Sequence, residues 1–236
     1  MIMKILIVVT SISMYENGKL ETGLWLSELT HMYHLAKEHG YEITIASTKG
    51  GNVPIDPESL KPLVLDKMSK DYWADSSFRE LLKHSKSLKE VEGEKFDVVY
   101  LAGGHGTMYD FPNDVTLQDI IRKQYESGKI VSAVCHGVGG LLNVKLSNGE
   151  YLIKDKAITG FNWFEETLAR RKKEVPFNLE KSLKERGSNY KKAFIPMTSK
   201  VLVDGNLITG QNPFSSKEIA KVVMQQMKGP KTPLGN

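Results

Sequence analysis

Three short apolar runs constrain this chain most: KILIVVT (Lys4–Thr10), VVYLA (Val98–Ala102) and IVSAV (Ile130–Val134). Each has the length of a strand and lacks the alternation of a sheet with one wet face, so each reads as a strand buried on both sides. Helical patterns separate them. Leu26, Leu29, Tyr33 and Ala36 recur at helical spacing within a helix expected over Thr22–His39, with Gly40 as its stop. Leu117–Glu126 reads as a second helix, and EITIAS (Glu42–Ser47) as a further strand. Alternation of this kind predicts a mostly parallel sheet covered by helices on both faces.

The remaining segments are less regular. Gly50–Pro57 opens a weakly patterned excursion to about Glu94, in which Asp75–Ser87 reads as helical with Asp75 as its N-cap. Ser147-Asn148-Gly149 and Gly205-Asn206 each mark an expected hairpin, the second between Val201–Asp204 and Leu207–Thr209. Ala157–Gly160 reads as a brief strand, and Trp163–Lys173, Leu179–Arg186 and Ser215–Met227 as helices. No linker divides the chain, so one domain is expected over residues 1–228, followed by a frayed tail at 229–236.

Bulk properties remove several classes of function. The 236 residues suffice for a real core without disulfides or metal clips. The net charge of +4 is dispersed, and the basic cluster Arg170-Arg171-Lys172-Lys173 is interleaved with Glu165, Glu166 and Glu174, which reads as a solvated face and not a nucleic-acid footprint. No apolar run has the length of a membrane span, and the start of the chain lacks the form of a signal peptide. A single cysteine cannot form an internal disulfide, so a cytoplasmic location is expected.

That cysteine lies in IVSAVCHGVGGLL (Ile130–Leu142), where a buried strand ends at a polar nucleophile and small residues open a helix. This is the logic of a nucleophile elbow, which exposes Cys135 at the carboxyl edge of the sheet. Backbone N–H groups at a helix start favour negative charge, so a thiolate is expected there. Gly103-Gly104 follows another buried strand and can bring a backbone N–H to a developing oxyanion, as partner to the N–H of His136. His31, His34 and His39 lack an accompanying carboxylate or cysteine cluster, so they read as solvated or pocket-wall histidines and not as a metal site. Phe161, Trp163 and Phe164 are candidates for lining a cleft.

Six segments then converge on a family: TGLWLSELTH (Thr22–His31), GGHGTMYDFP (Gly103–Pro112), AVCHG (Ala133–Gly137), ITGF (Ile158–Phe161), VPFNLE (Val175–Glu180) and DGNLITGQNPFS (Asp204–Ser215). In order and spacing the chain resembles the glutathione-independent glyoxalase III family, which includes heat-shock chaperone relatives. That family belongs to the superfamily of PfpI-type proteases and class I glutamine amidotransferases. The resemblance implies a flavodoxin-like three-layer α/β sandwich, a mostly parallel sheet with small antiparallel additions, and a homodimer. It implies an enzyme that converts methylglyoxal or a related 2-oxoaldehyde to the 2-hydroxy acid, with no cofactor and no metal. Its partner would be a small reactive aldehyde, with neither nucleic acid nor membrane involved.

Carried over residue by residue, Cys135 is the nucleophile and Glu28 the acid that donates to its thiolate. His136 and Glu166 complete the catalytic set, with Glu165 one register step away and expected to be silent. The N–H groups of Gly104 and His136 form the oxyanion hole, and His105 and Phe161 belong to the substrate pocket. Val138 and Met32 replace family prolines and are expected to reshape the pocket rim. Three other readings share the resemblance: a holdase chaperone, a protein deglycase, and a redox sensor built on Cys135.

Overall fold

Residues Ile5, Ile7 and Val9 bury on one side of the first strand while Leu6 and Val8 bury on the other. The period of two in a strand therefore feeds two separate cores, as an unalternating apolar run requires. The computed structural model describes residues 2–16 and 18–228; the tail expected at 229–236 lies outside the described residues.

In chain order the elements are β1 (Lys4–Val9), α1 (Leu26–Glu38), β2 (Glu42–Ser47), α2 (Lys67–Ala74), α3 (Ser76–Lys83), β3 (Lys86–Ser87) and α4 (Leu88–Val91). There follow β4 (Val98–Leu101), α5 (Thr107–Asp110), α6 (Val115–Glu126), β5 (Ile130–Val134), β6 (Ala157–Ile158), α7 (Trp163–Leu168) and α8 (Leu179–Glu185). The chain continues with β7 (Asn189–Tyr190), β8 (Val201–Asp204), β9 (Leu207–Gly210) and α9 (Ser216–Met227). Tight 3-10 turns occupy Pro57–Leu60, Cys135–Leu141 and Pro213–Ser215.

Seven strands form one sheet in the order β3-β2-β1-β4-β5-β9-β8, and β6 pairs with β7 in a small second sheet. All pairings are parallel except β8 with β9, which close the expected hairpin at Gly205. One face is packed by α1, α3 and α9 through Leu29, Met32, Phe78, Leu82 and Val223. The other is packed by α4 and α6 through Leu88, Val91, Leu117 and Ile121. The flavodoxin-like sandwich is therefore present. Strand order reverses between β1 and β4, and the crevice at the carboxyl ends of such strands is where ligands bind.

Local departures from expectation have physical reasons. Helix α1 begins at Leu26 and not at Thr22, because Leu24 is drawn into extended pairing with the Pro54–Asp56 segment: its N–H donates to the Pro54 carbonyl and its carbonyl accepts from Asp56 N–H, at 2.8 and 2.9 Å. Within the excursion, α2 and α4 form where no element was expected; the helix expected over Asp75–Ser87 keeps Asp75 as its N-cap but stops at Lys83 as α3, and its expected end, Lys86–Ser87, is strand β3 instead. Around Asn148-Gly149 the expected hairpin shrinks to one antiparallel bridge, Lys145 with Tyr151. Helix α7 ends at Leu168, and Arg170 just beyond it adopts a left-handed φ of 57°. Asp110 draws strand ends together, with Oδ2 accepting from Thr10 Oγ1, Ser11 N and Thr48 Oγ1 at 2.9, 2.9 and 2.8 Å. No helix among the described residues is long and apolar enough to cross a membrane.

The loop after β4 locks against the segment before α1. Gly104 has φ 106°, and a Cβ there would stand 2.1 Å from the Gly23 carbonyl oxygen and 2.6 Å from the Trp25 nitrogen. Gly51 is also left-handed at φ 79°, but a Cβ there meets nothing within 4 Å. Gly51→Ala is therefore expected to cost only the backbone term, on the order of 1 kcal/mol. Gly104→Ala must displace main chain and should lower the denaturation midpoint much further. Equal midpoints for the two variants in a urea titration would refute this packing argument.

Candidate active site

Cys135 stands directly after β5 with φ 58°, a left-handed backbone in a residue with a side chain. Such strain persists only where the surroundings hold it, and it is the geometry of a nucleophile elbow. The turn brings adjacent side chains together: Cys135 Sγ lies 3.3 Å from His136 Nδ1. A regular helix would have pointed these neighbours about 100° apart. The imidazole is pinned between two rings, His105 at 4.1 Å and Phe161 at 4.4 Å between centroids.

Glu166, on the first turn of α7, faces the same point. Its Oε2 is 2.9 Å from His136 Nε2 and its Oε1 is 2.8 Å from His105 Nε2. Burial opposes ionisation of Glu166, but His136 and His105 hold it well below the usual carboxylate range. Burial, with His105 nearby, pushes His136 down to about 4, so its ring is neutral at neutral pH. An ionised carboxylate can only accept, so Nε2 of His136 carries the ring proton and Nδ1 turns its lone pair to the sulfur. The relay Cys135–His136–Glu166 is thus set in the tautomer that takes a thiol proton.

Glu28 approaches from α1 and is fully buried, not solvated. Its Oε2 accepts from Gly103 N–H at 2.6 Å. Gly103 must be glycine for this approach, since a Cβ would stand 2.7 Å from that oxygen. The second oxygen, Oε1, is enclosed without a properly oriented partner, while the Cys135 thiol is close enough to perturb the acid. Burial outweighs both contacts and pushes Glu28 up to about 8, so it holds its proton at neutral pH.

The thiol itself differs from the sequence expectation. Burial pushes Cys135 up, as would a charged Glu28, and the N–H of His136 pulls it down. Elbow and helix start do not overcome the loss of water, so the resting group beside a neutral imidazole is the thiol. Glu28, protonated on the oxygen without a partner, is placed to stabilise the thiolate once it forms.

Of these groups, Cys135, His136 and His105 line a cleft of about 780 Å³, while Glu28 and Glu166 lie outside its lining. His105 and Phe161 belong to its wall, whereas Trp163 and Phe164 do not. Gly104 N–H has no protein acceptor among the described residues, and its carbonyl caps α5 through Thr107. Val138 and Met32 are fully buried core residues away from the lining, so the expectation that they shape the rim is corrected. Sequence reasoning missed Tyr15, Trp25, Met197 and Arg171 in the wall. Arg171, read as part of a solvated basic cluster, stacks over the Tyr15 ring at 5.8 Å. His31, His34 and His39 point to separate partners, Asp66, Tyr72 and the Leu35 carbonyl.

Comparison with known proteins gives the family. The DJ-1/PfpI family model matches residues 20–226, and the chain belongs to that family. It is 32% identical over 230 residues to Glyoxalase 3 of Candida albicans, covering 94% of this chain and 97% of that one. It is also 32% identical over 228 residues to the glutathione-independent glyoxalase HSP31 of Saccharomyces cerevisiae, covering 92% and 94%. The crystal structure of the Rapid Encystment Protein 24 kDa of Francisella tularensis superposes with a TM-score of 0.91 at 39% identity, covering 96% and 99%.

Glu165 hydrogen-bonds neither imidazole and serves as a buried structural acceptor. Its Oε1 accepts from Met197 N, Gln211 Nε2 and Asn212 Nδ2, each at 2.8 Å, and its Oε2 faces Asn162 N. Removing this buried acceptor strands three donors, each costing about 1–3 kcal/mol. Glu165→Ala is expected to lose stability severely in chemical denaturation; a midpoint like the parent's would contradict this role.

Glu28 makes stability depend on pH with a definite sign. Between about 4.5 and about 8 the unfolded chain has released the Glu28 proton while the folded protein keeps it. Unfolding then releases a proton, so stability falls as pH rises, by up to about 1.4 kcal/mol per pH unit. Glu28→Gln should gain stability relative to the parent across that window. Parallel stability curves for the two proteins would show that Glu28 ionises normally.

Proposed function

We propose that this protein is a glutathione-independent glyoxalase that converts methylglyoxal or a related 2-oxoaldehyde to the 2-hydroxy acid at Cys135. The observation that carries the reading is the relay of Cys135 Sγ, His136 Nδ1 and Glu166, with a neutral imidazole in the accepting tautomer. It occurs in a chain 32% identical, over nearly its whole length, to proteins named glyoxalases.

In the proposed sequence, Sγ attacks the aldehyde carbon as the thiol proton passes to His136 Nδ1, and Glu166 stabilises the imidazolium. The hemithioacetal oxyanion is held by the N–H groups of Gly104 and His136. His136, having passed its proton on to the oxyanion, removes the C1 proton and returns one to C2 through an enediol. This turns the adduct into the thioester of the 2-hydroxy acid without external electrons. Water then cleaves the thioester, releasing the acid and restoring the thiol. Glu28 stabilises sulfur whenever it carries negative charge.

A second reading, a holdase chaperone, is favoured by exposed apolar side chains: Leu63, Leu168 and Phe214 at the cleft and the fully exposed Phe194. Suppression of aggregation that survives Cys135→Ala would support it as an additional activity.

The test is proton NMR of purified protein with methylglyoxal and no added thiol. The parent should form lactate, and Cys135→Ala should form none. Glu166→Gln should lower kcat by about 10²-fold or more with little change in KM, because its interaction serves proton transfer. Turnover in the parent should decline above about pH 8 as Glu28 ionises, and that limb should vanish in Glu28→Gln. Lactate formation by Cys135→Ala would overturn the proposal.

A further inference from the structure

We propose that His105, His136 and Glu166 also form a binding site for a divalent cation of the zinc type, and that metal bound there switches the site off. The inhibitory half rests on His136 being the base of the proposed reaction; the binding half does not. The ligand atoms of the three residues lie within 4.8 Å of one another, and all three side chains are buried. Each carboxylate oxygen of Glu166 already points at one imidazole Nε2, at 2.8 and 2.9 Å. Two imidazoles and one carboxylate make a ligand set suited to zinc, cobalt or ferrous iron. Both rings also border the cleft, so water entering it can fill the remaining coordination position.

The chemistry of occupancy follows from the tautomer. A metal on Nε2 of His136 needs the lone pair there, so the ring proton must move to Nδ1. That atom faces Cys135 Sγ at 3.3 Å. The ring would then donate to sulfur and could no longer accept the thiol proton. The metal also takes over Glu166, removing the group that stabilises the imidazolium. Cys135 meets His136 through Nδ1, on the far side of the ring from the metal, so the sulfur is not a ligand.

The experiment titrates Co2+, a coloured probe for zinc sites, into the intact metal-free protein, following visible absorption and heat. One equivalent should bind, giving d–d bands without a thiolate-to-cobalt charge-transfer band. Cys135→Ser should bind equally well, whereas His105→Ala and Glu166→Gln should bind more weakly by about tenfold or more. Both variants are to be checked for a parental melting transition, with His105→Asn replacing His105→Ala if that transition is lost. Zinc should suppress lactate formation from methylglyoxal, and EDTA should restore it. A charge-transfer band that disappears with Cys135→Ser, or undiminished affinity in the His105 variant, would overturn the site. Cobalt binding with full turnover would overturn the switch alone. Absence of turnover in the metal-free parent would defeat the glyoxalase reading and leave the cobalt result standing.

Discussion

The hydrogen bond from Gly103 N–H to the Glu28 carboxyl, 2.6 Å long and fully buried, joins the pieces on which this site depends. One end is the loop after β4, the other is the first turn of α1, and the thiol after β5 lies against the acid. Three separate segments meet at the carboxyl edge of one sheet, near the point where strand order reverses. The approach is close enough that a Cβ on Gly103 would also meet the Val134 carbonyl oxygen at 2.7 Å. Strand β5 is thereby held against β4 at the residue before the elbow. The left-handed turn at Cys135 can persist because its flanks have nowhere to relax.

Much of this was legible in the sequence, and the exceptions are instructive. Strands β1, β4 and β5 are apolar on both faces, so length and composition sufficed. Helices α2 and α4 were not seen, although Asp66 and Ser87 cap them through their side chains and Ser87 with Glu90 forms a capping box. With only 8 and 4 residues, they have too little periodicity to stand out from a loop. Glu28 and Glu166 are named as candidates because motifs place them, not because their chemistry shows in one dimension. The role of Glu165 was invisible because its partners, Met197, Gln211 and Asn212, lie more than thirty residues further on. Arg171 was misread for the same reason: its neighbours in sequence are solvated, but the left-handed residue before it redirects the chain towards Tyr15.

The two carboxyl groups of the site are driven to opposite protonation states by their surroundings. Both lose water, which favours the neutral acid. Glu28 receives one backbone N–H in return and stays neutral, pushed up to about 8. Glu166 receives two imidazole donors, one on each oxygen, and ionises. A neutral acid beside the sulfur and a charged one behind the imidazole suit different moments of the proposed reaction. The first has a proton to offer when negative charge collects on sulfur. The second gains most when positive charge collects on His136. Exchange their environments and the relay fails at both ends: a charged Glu28 would repel the thiolate, and a neutral Glu166 would no longer stabilise the imidazolium or fix the tautomer that accepts the thiol proton. The division of labour is therefore set by what each acid meets on losing water, two imidazoles for Glu166 against a backbone N–H and a thiol for Glu28.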